Sequence, residues 1–270
     1  MLCTLGDLLL DVIVRLDGSI AEDTDTYGRT RVGAGGQAAN VAAWTAALGR
    51  EARFVGKRAR DPIGRLVADE LRRHGVEVVG PEVAVGTGTV VSIATADGKR
   101  TMLTDRGVAL DFRPGELDPD WLAGCERLHI PGYSLFRPPV RDTALAAAEL
   151  ARGAGIGLSV DLSSTSAIEE AGVDAVRELI LAVGPDTVFA NEDEAALVGE
   201  LEVETVVVKR GARGCVVRRA GEERVYPAEP AEVVDTTGAG DAFAAGFLAD
   251  GPGLALRTAA RCVAQMGAMP

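Results

Sequence analysis

Positive charge is in short supply. The 270-residue chain has 28 Lys and Arg against 40 Asp and Glu, a formal net charge of −12. Such a field repels nucleic acid and anionic membranes, so any anionic ligand must be held by local groups. Paired cysteines are also missing. Cys3, Cys125, Cys215 and Cys262 are widely spaced, with no CxxC pair and no His in metal-ligand spacing, which predicts reduced thiols packed as small hydrophobes in a cytoplasmic protein. No apolar run approaches the ~20 residues of a membrane span. The N-terminus carries Asp7 and Asp11 and has no basic start, unlike a secretory leader. Repeats, low-complexity tracts and Pro/Ser-rich linkers are absent too, so residues 1–270 read as a single domain, and 47% hydrophobic content suffices for a large core.

What is present is alternation. Short apolar runs such as "ARFVG", "RLHI", "IGLSVD", "TVFA" and "TVVVK" are separated by longer helical patterns, the signature of βαβ units and a mostly parallel sheet covered on both faces. Asp61 followed by Pro62 marks one helix start, and Gly75 after Arg72, Arg73 and His74 marks its stop. Two stretches break the rule. Residues 85–107 contain two β-type runs joined by Asp97-Gly98, and residues 12–33 are β-prone without a helical period. Together they predict one small antiparallel sheet standing off the core as a lid, a dimer surface, or both.

In such a fold ligands sit beyond the carboxyl ends of the strands. Four groups of residues fall there. In "GAGGQAANVAAWTAALG", Gly35 and Gly36 let a ligand approach the backbone, and Asn40 offers a neutral donor and acceptor suited to a polyol. Gly33, Gly35 and Ala38 also fit the loose dinucleotide pattern, with Lys57 and Arg58 available for a 2′-phosphate of NADP. Against that rival, the glycines do not follow the first core strand, and Arg53 stands where an acid would hold the ribose. Asp11 can accept from two sugar hydroxyls or be an ordinary turn residue. Asn191 and Glu194 share one helix face and suit a hydrated Mg²⁺, unless they only cap an acidic helix start.

The fourth group is "DTTGAGDAF". Its glycines free backbone N–H groups at a helix start, an anion cradle built without Lys or Arg. Asp241 stands beside the cradle, placed to take a hydroxyl proton while the cradle stabilises a transferred phosphoryl group. Arg106, after the hairpin and before the glycine that re-enters the core, is expected to face the substrate. A salt bridge to Asp105 or Asp111 is the competing expectation.

These stretches, in this order, resemble the ribokinase-like sugar kinases, the phosphofructokinase-B group, over nearly the whole chain. The resemblance implies a three-layer α/β sandwich with a mostly parallel central sheet, helices on both faces and a small β lid that often also clasps a homodimer. It implies ATP- and Mg²⁺-dependent transfer of the γ-phosphoryl group to a hydroxyl of a small sugar or polyol, with a nucleoside kinase as the alternative on the same scaffold. By position, Asp241 matches the catalytic base and Gly238, Ala239 and Gly240 the anion hole. Asp11, Gly35, Gly36, Asn40 and Arg106 fall on the sugar side, and Asn191, Lys209, Gly211 and Gly214 on the nucleotide side. Asn191 and Glu194 match a magnesium-associated motif, and Asp235 and Thr237 positions that often border a K⁺ site. Gln37 stands where kinases of sugar phosphates tend to read Lys, which argues against a phosphorylated substrate. Lys209 replaces the usual Thr or Ser, and the role of Asp161 is open.

Overall fold

The computed structural model describes residues 1–95 and 100–270. In chain order the strands are β1 (Leu2–Leu5), β2 (Leu9–Leu16), β3 (Gly28–Gly35), β4 (Ala52–Val55), β5 (Arg58–Ala59), β6 (Glu77–Val79), β7 (Glu82–Val83), β8 (Thr87–Ala94), β9 (Arg100–Gly107), β10 (Arg127–Pro131), β11 (Gly157–Asp161), β12 (Thr187–Asn191), β13 (Thr205–Lys209), β14 (Cys215–Arg219) and β15 (Glu222–Tyr226). The helices are α1 (Gln37–Ala47), α2 (Pro62–Arg73), α3 (Gly132–Leu135), α4 (Val140–Gly153), α5 (Thr165–Ala171), α6 (Val173–Val183), α7 (Glu192–Val198) and α8 (Ala239–Val263). None of the described helices is long and apolar enough to cross a membrane.

The central sheet has nine strands in the order β15-β14-β13-β12-β11-β10-β1-β4-β6. Pairing is parallel from β6 through β13 and antiparallel at β13-β14-β15. Its inner strands are buried almost throughout because helices cover both faces. Trp44 and Val41 of α1 and Phe243 of α8 pack with Phe189 and Val207 on one face. On the other, Ala144 and Ala148 of α4 and Ile180 of α6 pack with Leu128, Val160 and Val188. The expected three-layer sandwich is therefore observed. The chain leaves β1 toward β4 on one side and returns through β10 on the other, and an α/β fold opens its ligand crevice at such a reversal.

Helix α2 begins and ends where its sequence predicts. Asp61 caps it, accepting from Gly64 N at 2.7 Å, with Pro62 in the first turn, and Gly75 adopts φ +86° just after its end. The four-stranded lid, in the order β3-β2-β8-β9, stands off this core as expected. It differs from the expectation in one respect. The hairpins β2-β3 and β8-β9 are antiparallel, but β2 and β8 run parallel where the hairpins meet. Each hairpin leaves the core separately, so their mutual direction follows from where the core releases them rather than from a turn. The Asp97-Gly98 turn lies outside the described residues.

A second difference concerns the cysteines. Cys3 and Cys125 form a disulfide, with Cα atoms 6.0 Å apart, while Cys215 and Cys262 are free and buried. The partners lie 122 residues apart, a proximity created by β1 and β10 lying side by side and invisible to spacing along the chain.

Candidate active site

A cleft of about 840 Å³ opens between the lid and the carboxyl ends of the central strands. Each strand end contributes a side chain. Asp7 follows β1, Tyr133 follows β10, Asp161 ends β11, Asn191 ends β12 and Lys209 ends β13, and all five line the cleft. The lid adds Asp11 and Arg106, and the starts of α1 and α8 add Gly36, Asn40, Gly238, Gly240 and Asp241.

The 238–240 turn is locally determined. Gly238 precedes α8 with φ +77°, and a Cβ there would lie 2.6 Å from the Cα of Ala268, so only glycine fits. The turn brings the start of α8, the positive end of the helix dipole, to the cleft, where Gly238 and Gly240 line it, while Ala239 N donates to Thr236 O at 3.3 Å. Asp241 sits in that first turn, and its Oδ2 accepts from Asn40 Nδ2 at 2.8 Å. Burial, reinforced by Asp161 and Asp7 and opposed by Asn40 and Lys209, pushes Asp241 up to about 8.

Asp7 Oδ1 and Asn40 Oδ1 are buried and accept no hydrogen bond among the described residues. Two such oxygens beside a cleft are costly unless a ligand supplies donors. Asp11 is pushed up to about 7 by burial and by Asp7, against the pull of Arg106. Arg106 pairs with Asp7 and lies 3.6 Å above the centre of the Tyr133 ring. Arg106 therefore lines the cleft, and no bridge from it to Asp105 or Asp111 occurs among the described residues.

Asn191 and Glu194 form a complete capping box at the start of α7. Asn191 N donates to Glu194 Oε2 and Asn191 Nδ2 to Oε1, each at 2.8 Å, and Glu194 N donates to Asn191 Oδ1. Both nevertheless line the cleft, and burial together with the Asp161 charge raises the pKa of Glu194. The pair is therefore a helix cap whose side chains also line the cleft. No cluster of three or more metal-binding side chains occurs among the described residues. The fit is accordingly to Mg²⁺ held through water, with one or two carboxylates nearby.

Sequence reasoning left Asp161 and Lys209 open. Lys209 Nζ lies 2.5 Å from Asp161 Oδ2, and a Cβ on Gly240 would lie 3.3 Å from the same ammonium. Burial works against the charge of Lys209, but Asp161 and Glu194 outweigh it and raise its pKa. A half-buried ammonium therefore lies beside Gly240 of the cradle. Two further groups were missed. Ser163 Oγ donates to Gln37 Oε1 at 2.6 Å and accepts from Gly132 N, closing one wall of the cleft. The only signal for these contacts was position at a strand end.

Other expected site residues fall just outside the cleft. Gly35 lies on β3, where a Cβ would collide with the Asp11 carboxylate. Gly211 lines the cleft, but Gly214 lies in the turn into β14 against Tyr226 O. Thr237 lines the cleft, whereas Asp235 lies behind the cradle, bound to Thr237 and Gly267. The dinucleotide rival fails on geometry. Gly33 and Gly35 belong to a lid strand, Lys57 is held by Asp111 and Glu116, and Arg58 by Glu82.

A family model described as "pfkB family carbohydrate kinase" matches residues 1–269. The chain is 33% identical to an ATP-dependent ribose-1-phosphate kinase of Halopiger xanaduensis over 256 residues, covering 90% of this chain and 82% of the relative. It is 31% identical to a fructokinase of Klebsiella pneumoniae, covering 91% and 82%. Among solved structures, adenosine kinase from Sinorhizobium meliloti superposes with a TM-score of 0.89 at 27% identity, covering 100% of this chain and 95% of that one.

Proposed function

The chain belongs to the pfkB family of carbohydrate kinases, and from that premise we propose that it transfers the γ-phosphoryl group of ATP to a hydroxyl of a small neutral sugar or polyol. The observation that carries this reading is the pair of buried acceptors, Asp7 Oδ1 and Asn40 Oδ1, lying in one cleft with Asp241 and the cradle. Hydroxyl groups are the donors such oxygens need.

The phosphates of ATP lie against the N–H groups of residues 238–240, with the Lys209 ammonium beneath them. Asp241 accepts the proton of the attacking hydroxyl. Its raised pKa places it near working pH, where a general base is most effective, and Asn40 holds the carboxylate in one orientation. Phosphoryl transfer depends mainly on positioning and charge, which the cradle and Lys209 supply. Asn191 and Glu194 would hold Mg²⁺ through water, and the ion would supply charge neutralisation at the phosphates.

The acceptor is neutral because the guanidinium groups at that end are already matched. Arg106 pairs with Asp7, and Arg137 with Glu170. A sugar phosphate or sugar acid would require a cation without a carboxylate partner. One observation favours a nucleoside as second reading: Met102, Leu110, Tyr133 and Phe136 add apolar wall to the same cleft, enough to cover a base. ATP as co-substrate supports a cytoplasmic location. Exposed Val32 and Leu103 on the lid support a homodimer contact there.

Screening pentoses, hexoses, sugar phosphates, keto-acids and nucleosides for acceptor-dependent ADP release tests the reading. Activity confined to neutral acceptors is expected. A marked preference for a phosphorylated or acidic acceptor would overturn it.

A further inference from the structure

Behind the cradle, the loop of residues 264–269 carries several oxygens turned toward Asp235 and Thr237, and protein donors already occupy them. Val263 O accepts from Val234 N at 2.7 Å and Asp235 N at 3.1 Å. Ala268 O accepts from Trp44 Nε1 at 2.8 Å, and Met269 O from Gln265 Nε2 at 2.6 Å. Thr237 O accepts from Cys262 Sγ at 3.4 Å. The Asp235 carboxylate takes Thr237 N and Thr237 Oγ1 on one oxygen and Gly267 N at 3.1 Å on the other.

A further carbonyl of the loop, Met266 O, accepts from the guanidinium of Arg31. Arg31 reaches there from β3 of the lid, and a Cβ built on Gly267 would lie 3.4 Å from its Cζ. A second lid residue, Arg15 on β2, contributes to holding Asp235 ionised. A dehydrated monovalent cation needs several oxygen lone pairs converging on one point. Here each of those oxygens already accepts from an N–H, O–H or S–H donor, and positive charge comes from a side chain. The residues do not fit K⁺.

We propose that Arg31 takes the place of a monovalent cation behind the anion cradle, so that this enzyme needs no K⁺ and lid strand β3 is tied directly to the loop that supports Gly238. The inference rests on the kinase reading for its effect on turnover. The link is short: Arg31 holds Met266, and two residues further on Ala268 packs against Gly238. Arg31 lines no part of the cleft and acts as a positioning residue. It holds in one place the N–H groups that receive the transferred phosphoryl group.

Wild type, Arg31→Ala and Arg31→Lys are compared in KCl and in tetramethylammonium chloride at equal ionic strength, by turnover and by melting temperature. Wild type is expected to behave alike in both salts. Arg31→Ala should lose about tenfold or more in kcat without K⁺, since small misplacements of catalytic groups have effects of that order. K⁺ should not recover that loss, because the substitution releases only Met266 O, and Arg31→Ala should melt lower than wild type in both salts, while Arg31→Lys retains most of the wild-type behaviour. Activation of wild type by K⁺ would overturn the proposal. So would an Arg31→Ala enzyme with undiminished kcat in tetramethylammonium, or one whose loss K⁺ recovers. If wild type phosphorylates no acceptor, the kinase reading fails, and the melting comparison still judges Arg31. If Arg31→Ala does not fold, Arg31→Gln replaces it under the same criteria.

Discussion

Replacing Asp241 by Asn should stabilise the protein at alkaline pH while removing its activity. Burial first, then Asp161 and Asp7, hold the Asp241 carboxyl at about 8, against the ordinary aspartate value of 3.8. Between those values the folded protein keeps a proton that the unfolded chain has released, so stability falls as pH rises from about 4 to about 8 and levels off above. At ~1.4 kcal/mol per pKa unit, the whole shift sets an upper bound of about 6 kcal/mol. The Lys209 ammonium and relaxation of the site reduce that figure. A gain of about 1–3 kcal/mol is expected, or about 2–10 °C in Tm for a domain of this size. Asn at this position still accepts from Asn40 Nδ2, so the fold keeps its hydrogen bond. Turnover, by contrast, should fall by at least ~10²-fold, because the amide cannot take the hydroxyl proton. Differential scanning calorimetry at pH 5 and pH 8 with steady-state kinetics at pH 8 measures both. A variant that melts lower than wild type at pH 8, or that keeps more than about a tenth of wild-type turnover, would refute the reasoning.

Three other substitutions probe separate parts of the account. Glu194→Gln should preserve the fold, at a cost of about 1 kcal/mol for a weakened capping box, and should raise the Mg²⁺ concentration needed for half-maximal rate; an unchanged Mg²⁺ titration would leave the pair as a cap alone. Arg106→Ala frees Asp7 and opens the wall at Tyr133, so KM for the acceptor should rise by about tenfold or more while KM for ATP stays within about twofold. Equal changes in both would contradict its place on the acceptor side. Asp61 caps α2 and also accepts from Gly86 N, Thr87 N and Thr87 Oγ1 at the root of β8. Asp61→Ala should therefore cost about 2–3 kcal/mol in urea unfolding, more than the ~1 kcal/mol of an ordinary cap.

How much of this was legible depended on whether the determinant was local. The start of α2 at Asp61-Pro62, its stop near Gly75 and the turn before α8 are set by residues within one helical turn, and each lies where the sequence placed it. The alternating pattern yielded the covered parallel sheet because burial on two faces leaves unbroken apolar strands. Contacts between distant segments were not legible. Lys209 and Asp161 are 48 residues apart, and Arg106 and Asp7 are 99 apart. Only the neighbouring order of β11, β12 and β13 unites the first pair, and only the folded lid unites the second. The parallel meeting of β2 and β8 and the Cys3–Cys125 disulfide were hidden for the same reason. Asn191 and Glu194 were ambiguous because one geometry serves both a helix cap and a metal-facing pair.

The central claim is that Asp241 and the cradle pass a phosphoryl group from ATP to a neutral hydroxyl. The most direct measurement is ³¹P NMR of wild type and Asp241→Asn incubated with Mg²⁺, ATP and the best acceptor from the panel. Wild type should convert the γ-phosphorus signal into a phosphomonoester of the acceptor, in step with ADP, and Asp241→Asn should leave ATP intact. ADP accompanied only by inorganic phosphate, or ester formation by Asp241→Asn at the wild-type rate, would contradict the account.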